Sequence, residues 1–228
     1  MPAPVVLALP FTGRWLVQNS PARRVPSHGV DLWGMAYAID FVGVDAGRRT
    51  SPVRDWRTAL ATEPPERFVA FGRPVLAPGA GVVVHVLDGE PDHAARRSPL
   101  ALVPYALGQA GRVRRGAAAV AGNHVVLRLR AEPAWVTLVH LRRGSVRVRP
   151  GEEVAEGQVL GACGNSGNST QPHVHLQVTD GPDLAVARGL PTAFHAFRER
   201  PRRGRTVEHD VGLPAERSVV EPLGGVAG

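Results

Sequence analysis

Short apolar runs, some strictly alternating with polar residues and some continuous, are spread along the chain between glycines and prolines, and stretches with helical spacing are scarce. Residues 5–17 read as one or two strands around a Thr12-Gly13 turn, and 18–34 as loop. Met35 to Val44 (MAYAIDFVGV) reads as a buried strand, and 74–87 (PVLAPGAGVVVHVL) as strand, turn and strand. A short helix is expected near Arg54 to Ala61, within a polar stretch from 45 to 67. Three β runs follow: Asn123 to Arg130, Ala134 to Leu141, and a hairpin-rich stretch from Ser145 to Ala162. A last alternating run, His173 to Val178, comes after a loop of small polar residues. Residues 88–118, with several Pro and Arg, read as an insertion between two sheet strands. Beyond 179 the alternation fades, and the segment RERPRRGR at 198–205 marks 196–228 as an Arg-rich peripheral tail on a domain of residues 1–195. The pattern predicts a mainly β protein.

Composition narrows this picture only a little. At 228 residues, with 43% apolar content, the chain is long enough for a sizeable core. The 26 Gly and 21 Pro agree with many turns. The net charge of +7 comes entirely from arginine, since the chain has no lysine. Affinity for anionic polymers is one reading; arginine-rich codon usage is the plainer one, because no basic strip is interleaved with aromatics, and no nucleic-acid partner is expected. Cys163 is the only cysteine, which excludes an intrachain disulfide and a cysteine-based zinc cluster. It reads as a small buried residue, with a reactive thiol as the alternative. No run is long enough to span a membrane. The N-terminal MPAPVVLALPFTGRW reads as a first strand and not as a signal peptide, so the chain by itself reads as cytoplasmic. Its oligomeric state is not legible.

The candidate chemistry begins at the last alternating run. In an extended chain His173, His175 and Gln177 share one face, while Val174, Leu176 and Val178 share the other. Asp40 is the second anomaly, a carboxylate inside the apolar run AYAIDFV, where burial is costly without a partner. Alternation sets Tyr37, Ile39 and Phe41 on one face and Ala36, Ala38 and Asp40 on the other. A salt bridge or a structural hydrogen bond would explain Asp40 as simply as a metal would. His140 ends the strand WVTLVHL, and His28 lies in a Gly/Pro loop; each alone reads as a surface histidine. Taken together, several imidazoles and one carboxylate, with a position left for water, make a catalytic zinc site.

At these residues the chain resembles the lysostaphin-type zinc metallopeptidases, which cut peptide bonds in bacterial peptidoglycan. The resemblance is carried by GNSGNSTQPHVHLQV, by VTLVHLRRGSVRVRPGEEVAEGQVLGACG with its V-x-x-G-Q-x-L-G hairpin, and by PVLAPGAGVVVHVLDG. It covers about residues 26–178. It implies the duplicated-hybrid-motif fold: two packed antiparallel sheets with a groove across one of them. The 45–70 loop and the 88–118 insertion are expected to wall that groove and set its specificity. The resemblance also implies zinc ligands at His28, Asp40 and His175, with His140 and His173 as catalytic histidines that do not bind the metal. A zinc-bound water would be the nucleophile, with no covalent acyl-enzyme.

Two features depart from the family pattern. His28 and Asp40 are separated by eleven residues, more than is common, and Asp31 in HGVD lies closer. Asp40 is preferred as the ligand because its strand gives a reason for an inward carboxylate. Gln177 stands where many members carry Glu. His85, His93, His124, His195 and His209 match no ligand position, although His124 in GNHVVL is placed to line the groove. The expected activity is a zinc metalloendopeptidase acting on peptidoglycan peptides, located by resemblance in the cell envelope or secreted. The rivals are a non-catalytic wall-binding or regulatory module on the same fold and a phosphocarrier on a similar one.

Overall fold

The computed structural model describes residues 3–98, 100–102, 111, 114 and 116–224. Thirteen strands dominate, in an eleven-stranded sheet and a two-stranded one, so the mainly β expectation holds. In chain order they are β1 (Val5–Leu7), β2 (Trp15–Gln18), β3 (Ile39–Gly43), β4 (Pro74–Leu76), β5 (Gly81–Leu87), β6 (Asn123–Leu129), β7 (Trp135–Leu141), β8 (Glu153–Val154), β9 (Val159–Ala162), β10 (Val174–Thr179), β11 (Thr192–Arg200), β12 (Val207–Gly212) and β13 (Val219–Pro222). Two short α-helices are described, α1 (Trp56–Leu60) and α2 (Ala117–Ala121). A capping box from Asp55 and Thr58 starts α1.

The large sheet runs β1-β11-β13-β2-β3-β10-β7-β6-β5-β8, with β12 beside β11. Its pairings are antiparallel except β1 with β11. β4 and β5 do not form a hairpin: β4 pairs β9 in the small sheet, whereas β5 pairs β6 and β8. Val75 and Leu160 of the small sheet share one core with Phe41, Leu127, Leu138 and Leu176 of the large one, so the two sheets pack face to face.

Period-two alternation explains the central strands. Ile39 and Phe41 of β3, and Val174, Leu176 and Val178 of β10, enter that core. Asp40, His175 and Gln177 alternate with them and are buried on the opposite face.

Two expectations need correction. Met35–Tyr37 is a turn of 3-10 helix, not strand; Gly34 enters it in the left-handed region (φ 73°) and Ala38 leaves it extended. The 196–228 segment is not a peripheral tail as far as it is described: β11 continues to Arg200, and β13 lies between β11 and β2. Its arginines hid this. Arg198 pairs with Glu208 and Glu221, and Arg200 with Glu221, so these charges occupy outward positions of strands whose inward positions are Phe194, Phe197 and Val220. The 88–118 insertion is only partly within the described residues. Its first part is fixed to the body, for Asp88 accepts from the backbone of Gly144 and Val146, and Asp92 from Arg143 and Asn165.

Candidate metal centre

The register of the sheet builds the site. Asp40 on β3 stands directly across from His175 on β10, and His175 in turn across from Val139 on β7. A period of two on both strands therefore lays a carboxylate beside an imidazole on one face. His28 comes from the loop before β3, its Nε2 3.2 Å from Asp40 Oδ2. His175 Nδ1 is 2.9 Å from Asp40 Oδ1. One donor atom from each of His28, Asp40 and His175 lies within 4.8 Å of the others. Asp31, the nearer alternative in sequence, is exposed and outside this group.

His140 reaches the same place by a different route. Strict alternation after Val136 and Leu138 would turn it toward the core. Between the pairs Asn123–Leu141 and Val125–Leu138, β6 advances two residues and β7 three, so β7 carries an extra residue there. His140 sits in it with φ 63°, in the left-handed region. Such a bulge re-aims a side chain, and His140 lines the cleft with its ring centroid 4.7 Å from that of His173 and 6.1 Å from that of His175.

Hydrogen bonds set the tautomers. His140 Nδ1 lies 2.9 Å from the Ser166 carbonyl and His173 Nδ1 2.8 Å from the Gln171 carbonyl. A carbonyl only accepts, so both rings carry their proton on Nδ1 and leave Nε2 as a lone pair. Gln177 Nε2 donates to the Trp33 carbonyl at 2.8 Å, which turns its Oε1 toward His175 Nε2 at 3.2 Å. His175 Nε2–H then donates to that oxygen, and Nδ1 is free to bind a cation. Ser27 Oγ donates to the Met35 carbonyl at 3.3 Å and so accepts from His28 Nδ1 at 3.0 Å, leaving Nε2 of His28 as the inward atom. Two imidazole nitrogens and a carboxylate oxygen, each oriented from behind, suit zinc.

The charges agree with this reading. Burial raises the Asp40 pKa, but the neighbouring His28 and His173 charges, and the hydrogen bonds that His175 and His28 make when a proton and not a metal lies between them and the carboxylate, outweigh it and hold Asp40 well below the usual carboxylate value. Burial lowers the His28 pKa, yet the charge and hydrogen bond of Asp40 leave it raised. His140 is pushed well below its ordinary value by burial and by the His173 and His175 charges. His173 is lowered by burial, against the pull of Asp40.

The cleft around these groups has a volume of about 450 Å3. Val30, Leu32, Trp33 and Met35 wall one side, Ala117, Val120 and Ala121 another, with Thr170 and Leu184 beyond. Among the described lining residues none comes from the 45–70 loop, so that expected wall is not where the cleft lies. His124 is buried with Nδ1 on the Gly122 carbonyl, beside His85, and is not in the lining. His93 donates to the Gly167 carbonyl, while His195 and His209 pair with Glu156 and Glu199. Cys163 is buried, and burial raises its thiol pKa far from the reactive range.

Sequence reasoning missed Asn19. Its Nδ2 donates to Asp40 Oδ2 at 2.7 Å from the end of β2, at φ 52°. The pairing of Gln18 with Asp40 brings it there, a long-range register that no local pattern announces.

A β groove thus holds a His-Asp-His cluster that could bind a metal ion, beside two further oriented imidazoles. The family model of Peptidase family M23 matches residues 105–186, and this bears out the resemblance carried by the motifs. No curated protein matches the chain. Similar solved structures include the catalytic domain of the antimicrobial peptidase lysostaphin from Staphylococcus simulans, at 20% identity over 68% of this chain and 76% of that one, with a TM-score of 0.38. A variant catalytic domain of the prophage-encoded M23 protein EnpA from Enterococcus faecalis is 18% identical over 84% of this chain and 91% of that one, with a TM-score of 0.39. A zinc-containing peptidase from Vibrio cholerae is 17% identical over 67% of this chain and 45% of that one, with a TM-score of 0.33. No helix among the described residues is long and apolar enough to cross a membrane.

Proposed function

We propose that the protein is a zinc-dependent metalloendopeptidase that hydrolyses peptide bonds in the stem or cross-bridge peptides of peptidoglycan, acting in the cell envelope. The observation that carries this reading is the convergence of His28, Asp40 and His175 within 4.8 Å, beside two histidines whose Nε2 atoms are left as lone pairs. His28, Asp40 and His175 would hold the ion. Zinc so held supplies Lewis acidity toward the scissile carbonyl and toward water.

The remaining chemistry falls to the chain's own groups. His140 and His173 are neutral near pH 7 because burial disfavours their charged forms, so their Nε2 atoms accept a proton from the attacking water. The protonated ring then donates to the leaving amine or to the oxygen on which negative charge develops. Asp40 stays ionised throughout and offsets the added positive charge. The apolar walls exclude water from the peptide.

Metal analysis and hydrolysis assays test this together. One tightly held zinc per chain is expected, and it is lost in His175→Ala. His140→Ala keeps the zinc and loses at least about 100-fold in hydrolysis of purified peptidoglycan or oligoglycine peptides. A folded wild type that binds no metal refutes the reading. Zinc binding without hydrolysis of any wall peptide leaves the non-catalytic module in its place.

A further inference from the structure

The hairpin joining β11 to β12 carries charge that the site does not use. Its tip, residues 201–206, presents Arg202, Arg203 and Arg205, all exposed. Arg48 lies against its base and donates to the carbonyls of Arg200, Pro201 and Arg217, at 3.5, 3.2 and 3.0 Å. Arg217 is itself exposed and held at φ 65°. Three neighbouring acids are taken: Glu208 pairs with Arg198, Glu221 with Arg14, Arg198 and Arg200, and Glu216 with Arg23, while Asp210 lies further down β12, exposed and in no ion pair with the tip. Among the described residues, these five guanidiniums have no ion-pair partner. Arg48 spends its donors on neutral carbonyls and keeps its charge.

Arginine-rich codon usage scatters exposed arginines over a surface. It does not explain five uncompensated ones brought together from three separate stretches of chain, where like charges repel. We infer that this hairpin tip, with Arg48 and Arg217 beside it, is a docking surface for a flexible phosphodiester-linked polyanion that lacks bases. Guanidinium groups match phosphate oxygens with paired hydrogen bonds, and several charges spread over a convex tip suit a repeating polymer better than one small anion. Nucleic acid is disfavoured because the tip has no exposed aromatic for base stacking; Phe197, at the hairpin's stem, is buried against His209. A membrane surface is disfavoured because residues 201–206 hold no large apolar side chain to enter it. From β11 the sheet order passes β13 and β2 to β3, three strand spacings or roughly 14 Å. A polymer held at the tip therefore leaves the cleft open. None of this rests on the proposed hydrolytic activity.

The test is binding to poly(glycerol phosphate), measured across a range of salt concentrations. Wild type is compared with the triple variant R202Q/R203Q/R205Q and with a charge-matched control, R128Q/R143Q/R147Q, taken from exposed arginines elsewhere. Circular dichroism verifies that all three are folded. The tip variant is expected to bind at least tenfold more weakly at low salt, with a slope of log affinity against log salt flatter by about 2, and the control to stay within twofold of wild type. Equal losses in the two triple variants overturn the inference. So does a wild type that fails to bind, or one that prefers single-stranded DNA or polyglutamate.

Discussion

His140 is buried and His173 half-buried, and desolvation in the cleft keeps both neutral. Their pKa values in the fold lie below the unfolded value near 6.5. Between the lowered values and 6.5 the unfolded chain binds more protons than the native one, so stability rises with pH there and is lost as pH falls below 6.5. His28 has the opposite sign: its raised pKa contributes stability at acid pH that disappears as pH climbs through its folded value. With His124, which burial also lowers, three groups oppose one. The zinc-stripped protein is therefore expected to melt at a lower temperature at pH 5 than at pH 7, and His140→Gln to flatten that acid limb. Calorimetry at several pH values checks it; an unchanged acid limb in the variant means that His140 is not held neutral by the fold.

Among the elements, one close backbone approach near the site is between the residue after α2 and the loop before β10. Gly122 has φ 64°, and a Cβ there would lie 2.5 Å from the Gly167 nitrogen and 2.7 Å from the Ser166 carbonyl carbon. Neither backbone can yield easily, and that Ser166 carbonyl orients His140. Gly122→Ala is expected to cost at least about 1 kcal/mol in stability and to reduce hydrolysis further than that loss explains. Denaturant titration beside the activity assay separates the two effects. At this scale the sequence was informative wherever one local period mapped onto one strand. The facing of His175 and Gln177 on β10 and of Asp40 on β3 was legible, because alternation needs only neighbours. His140 broke the rule: alone it read as a surface histidine at a strand end, and the bulge that aims it into the cleft arises from pairing with β6, which its own strand does not announce. Asn19 acts through a partner that only the fold brings near, and Ser27 orients the adjacent His28 only because the turn at Met35–Tyr37 supplies the carbonyl that takes its hydroxyl proton. The 45–70 wall was misjudged for the same reason, since length and polarity of a loop do not say which face it covers, whereas the end of the 88–118 insertion does reach the cleft at Ala117.

For the molecule as a whole, the unexpected finding is that residues 192–222 complete the sheet. Phe197 is fully buried in the shared core, although it lies next to the arginine run that suggested a tail. Phe197→Ala is expected to cost about 3–5 kcal/mol, read from the denaturation midpoint; a cost below about 1 kcal/mol would return this segment to the periphery. The feature behind this is the meeting of both chain ends: β1 pairs with β11, and β2 with β13. Its consequence lies in the order of synthesis. The first strands leave the ribosome long before their partners exist, and such distant pairings form late. β2, the neighbour of the Asp40 strand, waits for Val219–Pro222, about two hundred residues further on, so a nascent copy not yet synthesised that far is kept from completing the sheet that carries its cleft.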